Sequence, residues 1–246
     1  FPPVMGGWFF TLVCYPYDQP ATPPEGILPR YVYDARQGLA IMRSGYRDGR
    51  DAIVGVYART THVGGHSADD AGSLRLMALG HDWILGGGQA RGDAMWQSTV
   101  IRADQPRPKP TPCGAVICEE RREHGGVFAV DLRKASSGYH ERYVSADFSG
   151  KSGRPAAIAM LDQVDDHLKH DGLWNMTYAP HLKLSLHGDG AGFSVVADDG
   201  ANMNVRFLGA RPAAIEQRRT PDSSRTFSAG HTTRYPGRPF LTAKFT

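Results

Sequence analysis

Two histidines and two aspartates are concentrated in one short stretch of the sequence. His62 and His66 flank the pair Gly64-Gly65, and Asp69 and Asp70 follow directly. An imidazole titrates near neutral pH, so a histidine on a loop is able to transfer a proton or neutralise a carboxylate. Imidazole and carboxylate groups are also ordinary zinc ligands. The stretch therefore indicates acid–base chemistry or a metal site.

The metal interpretation of these residues is the weaker one. His62 and His66 would need helical spacing to converge on one ion, and the glycine pair between them disfavours a helix. The aspartates more simply cap a turn, because a short carboxylate bonds readily to nearby backbone N–H groups. For His66 itself, the alternative to a functional role is a loop histidine that is hydrogen-bonded to backbone.

Strand-forming sequence follows the histidines. Residues 74–79 alternate between apolar and polar types, which is the two-residue period of a strand with one buried face. A second apolar run, Trp83-Ile84-Leu85, ends in three glycines. The histidine-rich loop is therefore expected at the mouth of a hairpin, where a rigid sheet holds polar groups on a loop.

The same stretch resembles the C-terminal β-sandwich domain of the heparinase II/III-like polysaccharide lyases. The family pattern runs roughly His-x-His-x-Asp-x-Gly-Ser, then an apolar strand, a glycine, an apolar run and later His-Asn-Thr. The corresponding stretches here are 66–73, 74–80, 83–88 and 97–99. Residues 38–44, 157–162 and 193–208 look like other strands of that sandwich, and the resemblance covers about residues 28–246.

The resemblance implies β-elimination from a uronic acid. A base removes the C5 proton, the adjacent carboxylate is neutralised, and an acid protonates the departing O4. His66 matches the first histidine of the family motif, so it is the expected catalytic residue, with His62 and Asp70 as expected substrate contacts. In the family an α/α-toroid domain precedes the sandwich. The chain starts at Phe1, and the resemblance implies that it is the sandwich half of a longer lyase.

The metal site of the family is not expected in this chain. Its three ligand positions fall at Ala68, Gly86 and Gln97. Alanine and glycine carry no donor side chain, and glutamine is a poor sole ligand for zinc. The sequence therefore predicts no metal, and the lack of a glycine-rich phosphate-binding motif gives no support for a nucleotide cofactor. No cofactor is expected.

Composition favours an all-β fold. The chain has 246 residues, 41% of them hydrophobic, with 29 glycines and 17 prolines, which suits many strands joined by turns. We predict an antiparallel β-sandwich over residues 31–246, preceded by an N-terminal segment and proline-rich linker at 1–30 that would be the remnant of the toroid side. The predicted strands are 38–43, 52–58, 73–79, 83–85, 99–103, 115–119, 127–132, 141–146, 156–161, 174–178, 182–186, 193–197, 203–208 and 240–244.

The last forty residues are strongly basic. Residues 205–246 contain eight arginines and lysines against two acids, so their formal charge is 8 − 2 = +6. Arginine forks match carboxylates and sulfates in geometry. We therefore expect Arg218, Arg219 and Arg225 to contact an acidic polysaccharide, while a solvated basic surface is the simpler alternative. Nucleic acid is not expected, because stacking aromatics are not interleaved with the charge.

The remaining features of the sequence concern the membrane, disulfides, partners and location of the protein. No apolar run approaches the length of a membrane span, so no membrane partner is expected. The three cysteines Cys14, Cys113 and Cys118 allow at most one intrachain disulfide. The expected partners are an acidic polysaccharide and the toroid domain of the parent chain, and the expected location is periplasmic or secreted. The competing functions are a non-catalytic carbohydrate-binding module and a purely structural domain.

Overall fold

Antiparallel β-strands account for nearly all of the regular structure. The computed structural model describes residues 22–61, 70–86, 96–104, 114–136, 139–165, 171–226 and 232–246. The first ten strands are β1 Tyr31–Asp34, β2 Leu39–Arg43, β3 Ile53–Tyr57, β4 Ser73–Ala78, β5 His81–Ile84, β6 Val100–Arg102, β7 Ala115–Arg122, β8 Gly125–Asp131, β9 Tyr139–Asp147 and β10 Ala157–Asp165. The remaining strands are β11 Gly172–Thr177, β12 Lys183–Leu186, β13 Gly192–Val196, β14 Asn202–Arg206, β15 Ala214–Arg219, β16 Ser223–Thr226, β17 Thr232–Tyr235 and β18 Pro239–Phe245. One short helix, α1, spans Arg133–Ser136.

The strands form five antiparallel sheets. The first sheet runs β1-β2-β3-β4-β5 in sequence order, and the second runs β10-β9-β8-β7. The third has the order β15-β18-β11-β6, so it combines strands that are far apart in the chain. Strands β12-β13-β14 and the hairpin β16-β17 complete the set. Within the described residues, none of the helical structure is long and apolar enough to cross a membrane.

Four of the five sheets share one apolar core, which is what makes the arrangement a sandwich. Met42 of β2, Phe128 of β8, Met176 of β11 and Phe193 of β13 are all fully buried and belong to one contiguous cluster. Each comes from a different sheet. The all-β antiparallel sandwich expected from the sequence is confirmed.

Each of the predicted strands overlaps an observed one, but β1, β15, β16, β17 and α1 were not predicted. Strand β15 shows why, since its sequence AIEQRR is polar and exposed along its second half. It is a strand because it pairs over its whole length with β18, whose residues are mostly buried. Pairing context of this kind outweighs intrinsic strand propensity.

The alternating runs pack inward with one exception. Leu74, Leu76 and Ala78 are buried, as are Phe193, Val195 and Ala197, in agreement with the pattern. Leu182, just before β12, is also buried, whereas Leu186 at the end of that strand is 45% exposed and does not follow the pattern. Strand β12 is an edge strand of a three-stranded sheet, so only β13 flanks it there.

A buried arginine joins the second sheet to the first. In β9 the even-numbered residues from His140 to Ala146 are buried, and Arg142 among them is completely inaccessible. Its Nε donates to Asp162 Oδ1 at 2.6 Å and its Nη2 to Asp162 Oδ2 at 2.9 Å. Its Nη1 donates to the carbonyl of Gly72, just before β4, at 2.6 Å, and to that of Ser98 at 3.2 Å. We call these contacts the Arg142 clamp.

The clamp depends on the ionised form of Asp162. Burial by itself would raise the pKa of this carboxyl, but the charge of Arg142 and hydrogen bonds from His140 and Arg142 outweigh it and hold the pKa well below its usual range. Asp162 is the direct cross-strand partner of Arg142, and His140 Nε2 lies 3.0 Å from Asp162 Oδ1. The carboxylate is therefore held by two neighbours on β9.

Truncation of a core leucine should measure how much the shared core contributes. Leu241 of β18 is fully buried, whereas Leu161 of β10 is 60% exposed. We expect Leu241→Ala to lower the free energy of unfolding by about 2–5 kcal/mol, through lost burial and a residual cavity. The matched control Leu161→Ala should change it by no more than about 0.5 kcal/mol. Equal effects in denaturant unfolding would contradict the burial described here.

Removal of the charge on Asp162 should destabilise the fold in a pH-dependent way. Asp162→Asn leaves Arg142 buried without its counter-ion, so we expect a loss of about 3–5 kcal/mol at neutral pH. Because the folded-state pKa is depressed, the carboxylate contributes fully above the unfolded pKa of about 4, and its contribution is lost progressively as the pH falls from there through the lower folded-state pKa. The difference between variant and wild type should therefore shrink in acid.

The exposed pair between Asp198 and Lys183 provides the control for that experiment. Asp198→Asn should leave the unfolding curve unchanged at neutral pH, since solvent screens such pairs. A pH-independent gap between Asp162→Asn and wild type, measured by urea unfolding from pH 2 to 7, would contradict the clamp's dependence on charge.

Candidate functional site

The expected catalytic histidine lies on the connection between β3 and β4. His66 and His62 themselves are outside the described residues, and so is Ala68. The two ends of the connection are described, because Tyr57 at the end of β3 is the register partner of Ser73 at the start of β4. The connection therefore leaves and returns at one position of the first sheet.

A second connection, between β5 and β6, meets the first one. The amide of Leu74 donates to the carbonyl of Ser98 at 3.1 Å, and Thr99 Oγ1 donates to the carbonyl of Ala71 at 3.3 Å. Ser98 Oγ in turn donates to the carbonyl of Leu85 at 2.6 Å. The bases of both connections are thus bonded to each other, and the Arg142 clamp bonds to both of them. We call this part of the molecule the site end.

The C-terminal strands reach the site end through Arg238. Its Nη1 donates to the carbonyl of Gly86 at 2.9 Å, while its backbone amide donates to Thr220 Oγ1 at 2.8 Å. Arg219, the last residue of β15, is the register partner of Pro239. Strand β15 therefore ends beside the site end, and Arg219 is exposed there.

The three arginines expected to bind glycan lie in strands of two different sheets. Arg218 and Arg219 are both exposed, but as consecutive strand residues they point to opposite faces of the sheet. Arg218 is also engaged by Glu216, whose Oε2 accepts from its Nε at 2.9 Å. Arg225 lies in the separate hairpin, in β16. Of the two whose side chains are described, Arg219 is the one whose register partner, Pro239, directly follows Arg238.

Arg75 of β4 lies at the centre of the site end. Its Nη2 donates to Gln97 Oε1 at 2.9 Å, and its Nη1 lies within 3.4 Å of the carbonyls of Leu74 and Leu85. Burial lowers the pKa of the Arg75 guanidinium, Asp70 opposes that shift through its negative charge, and the positive charge of Arg238 adds to it. Asp70, an expected substrate contact, is thus electrostatically coupled to Arg75.

The residues at the matched metal positions do not fit a metal ion. A Cβ built on Gly86 would overlap the Arg75 guanidinium and lie 2.7 Å from Gln97 Oε1. The space that a ligand side chain at position 86 would use is therefore filled by a cation, which repels another cation. Among the described residues, no group of three or more His, Cys, Asp or Glu side chains is arranged to hold a metal.

Sequence reasoning missed Arg75, Arg142, Asp162 and Arg238. The alternation around Arg75 placed its side chain on a solvent face, since Leu74 and Leu76 occupied the core face. The sequence does indicate that Arg142 is buried, because it alternates with the same two-residue period as Val144 and Ala146, which lie on the inward face of β9. A charged residue in step with apolar core positions indicates a buried ion pair.

Of the three cysteines, the structure describes one. Cys118 of β7 is an exposed free thiol. Cys14 and Cys113 lie outside the described residues, so the possible disulfide stays a prediction.

Comparison with solved structures identifies the fold. The structure of heparinase III described as the BT4657 gene product matches with a TM-score of 0.68 and 15% identity, covering 90% of this chain and 34% of the other. A mutant of heparan sulfate lyase HepC from Pedobacter heparinus matches with a TM-score of 0.66 and 13% identity, covering 89% and 34%. Another heparinase III structure gives 0.60 and 10%, covering 87% and 35%.

Sequence comparisons add nothing to the structural match. No model of a protein family matches the chain, and no curated protein sequence is significantly similar to it. At such low identity the structural match establishes the fold, and the chain spans only about a third of the matched structures. The chain has the β-sandwich fold of the C-terminal region of heparinase-like polysaccharide lyases, which confirms at the level of fold the resemblance found in the sequence.

Proposed function

We propose that this chain is the β-sandwich part of a polysaccharide lyase that cleaves an acidic, uronate-containing glycan by β-elimination. The observation that carries the proposal is the fold shared with heparinase III and heparan sulfate lyase structures over about nine-tenths of the chain. Because the chain spans about a third of those structures, the cleavage activity is proposed for the parent protein. The α/α-toroid domain is its proposed partner within that protein.

The proposed reaction needs two proton transfers and one charge neutralisation. A base takes the C5 proton, the released electron pair forms the C4–C5 double bond, and the C4–O4 bond breaks as an acid protonates O4. The developing enolate is stabilised when the uronate carboxylate is neutralised. We assign His66 to this group of steps because a loop imidazole can transfer a proton or carry the neutralising charge.

The anchoring of the histidine loop supports this assignment. Gly72, at the return of the loop, is held by the Arg142 clamp and by a hydrogen bond from its own backbone N–H to the carbonyl of Tyr57 at 2.7 Å. Catalytic groups must keep their geometry to within a fraction of an ångström. A loop whose base is bonded to two sheets meets that requirement better than one that is supported by a single hairpin.

The charges at the site end support an acidic glycan as the substrate. Arg219 and Arg238 are both located there, and guanidinium groups recognise carboxylates and sulfates through paired hydrogen bonds. In the proposal His62 and Asp70 contact sugar hydroxyls, for which imidazole and carboxylate groups are suitable acceptors. A polymeric substrate of this kind suits a periplasmic or secreted protein.

A glycan-binding module without catalysis is the second candidate. The arginines at the site end favour it, because they bind anions but do not titrate near neutral pH. The two candidates differ in whether His66 affects turnover in a protein that carries the toroid domain.

In the full-length parent, we expect His66→Ala to lower the turnover of a uronate polysaccharide by ~10²–10⁴-fold, as for the loss of one acid–base group. The control is His124→Ala, at the exposed turn between β7 and β8, which should leave turnover unchanged. Product formation is followed by the ultraviolet absorbance of the new double bond. Full activity of His66→Ala would reject the proposed role.

The isolated chain should produce little unsaturated product. It carries the proposed His66 without the partners that a toroid domain would supply, and elimination requires base, acid and neutralising group together. Turnover by the isolated chain at rates typical of enzymes, about 1 s⁻¹ or faster, would contradict the division of the site between two domains.

Binding of a uronate oligosaccharide to the chain should weaken as salt concentration rises, because exposed charges are screened. Since Arg218 and Arg219 point to opposite faces, we expect Arg219→Ala to weaken binding clearly and Arg218→Ala to weaken it little. Arg225→Ala tests whether the β16-β17 hairpin takes part.

Arg122→Ala is the control for these titrations, because Arg122 in β7 is an exposed arginine bonded to Glu120, like the Arg218–Glu216 pair. Affinity that does not respond to salt or to any of the three substitutions would remove the basic tail from the proposed site.

A further inference from the structure

We propose that the Arg75 guanidinium takes the place of a metal ion at the site end, as a built-in cation that joins β4 to both ends of the β5–β6 connection. The proposal concerns a residue that sequence comparison with the lyases does not single out. It goes beyond the proposed function, and it holds whether or not the parent protein cleaves glycan.

The first support is the space that the guanidinium occupies. A side chain at position 86 would collide with it, since a Cβ there overlaps the guanidinium and approaches Gln97 Oε1 to 2.7 Å. Gly86 has no positive φ in the structure, so its backbone does not demand glycine. The guanidinium can keep its observed position only while residue 86 has no Cβ.

The second support is the set of oxygen atoms around the guanidinium. Gln97 Oε1 and the carbonyls of Leu74 and Leu85 surround it at 2.9–3.4 Å, and Gln97 is only 1% exposed. All three are neutral oxygen acceptors, so they satisfy N–H donors of the guanidinium without supplying a counter-charge. Asp70 adds a negative charge that favours the charged guanidinium.

The third support is that the changes at the matched positions are complementary. Glycine at position 86 creates the space, and glutamine at position 97 supplies an oxygen acceptor for an N–H donor. An imidazole at position 97 would offer a weaker match to a guanidinium than an amide oxygen does, because its acceptor nitrogen is lost on protonation. Arg75, Gly86 and Gln97 therefore act together: Gly86 leaves space for the guanidinium of Arg75, and Gln97 accepts a hydrogen bond from it.

The cation has a structural consequence for the loops. Arg75 is in β4 of the first sheet, while Leu85 and Gln97 lie at the two ends of the β5–β6 connection. A guanidinium carries five N–H donors in a fixed plane, so it is able to bond to both ends at once. It stays charged throughout the physiological pH range, and a chelator does not remove it.

A double-mutant cycle on the isolated chain tests the space argument. Gly86→Ala should lower the Tm by roughly 3–10 °C, because it displaces the guanidinium from buried acceptors. Arg75→Ala should have a similar effect, and the double variant should be no less stable than Arg75→Ala alone. Strictly additive losses would overturn the proposal. Gly55→Ala, in β3, is the control, since a Cβ there meets only Arg75 Cβ at 3.7 Å.

A second pair of variants tests whether the positive charge is what the site uses. Arg75→Met keeps the length of the side chain without charge or donors, and Arg75→Lys keeps the charge. We expect Arg75→Lys to retain more of the wild-type Tm than Arg75→Met, which leaves Gln97 Oε1 without its donor. Equal or higher stability of Arg75→Met would show that the charge is not needed and would overturn the cation role.

Metal analysis of the wild-type chain completes the test. We expect less than stoichiometric zinc after purification without chelator, and no change in Tm on adding EDTA. Stoichiometric zinc whose removal lowers the Tm would overturn the proposal. None of these measurements uses glycan or turnover, so a failed lyase assay and a failed Arg75 cycle lead to separate conclusions.

Discussion

The contact on which the site end depends is the buried ion pair between Arg142 and Asp162. Removing two charges from water costs several kcal/mol per ion, so such a pair persists only where hydrogen bonds satisfy both partners. Here both carboxylate oxygens accept from Arg142, and the remaining Nη1 donates to carbonyls of Gly72 and Ser98. The guanidinium therefore serves as a bridge between sheets, at the place where two long connections begin.

Arg75, which is close in sequence to Gly72, solves a related problem. Backbone carbonyls at the ends of strands have no ladder partner, and burying them unpaired is costly. Arg75 lies within hydrogen-bond distance of the carbonyl of Leu85 and Arg238 donates to that of Gly86, just as Arg142 does for Gly72. Arg75 in β4, Arg142 in β9 and Arg238 just before β18 thus bond to carbonyls at one end of the sandwich, which an apolar residue could not do.

The sequence predicted the sandwich because period-two alternation is a local property that each strand expresses independently. It did not predict β15, whose polar residues become a strand only through pairing with β18, or the clamp, which joins Arg142 to a residue seventy positions earlier in the chain. The pattern also assigned Arg75 to solvent. The Arg75 guanidinium occupies space that residue 86 leaves open because it is a glycine. The sequence does not show that residues 75 and 86 are neighbours in space, so this placement could not be predicted from it. His66 stays a prediction, since it lies outside the described residues.

A guanidinium and a metal ion differ in what they offer a substrate. A metal ion with an open coordination position can bind a substrate oxygen directly and polarise it, whereas a guanidinium attracts an anion only through charge and N–H donors. If Arg75 holds the loops, its donors are directed largely at protein oxygens. The neutralisation of a uronate carboxylate would then fall to groups that face the substrate, namely His66 or the exposed Arg219. Arg75 would then support the loops, and other cationic groups would contact the ligand. This division follows from the partial burial of Arg75.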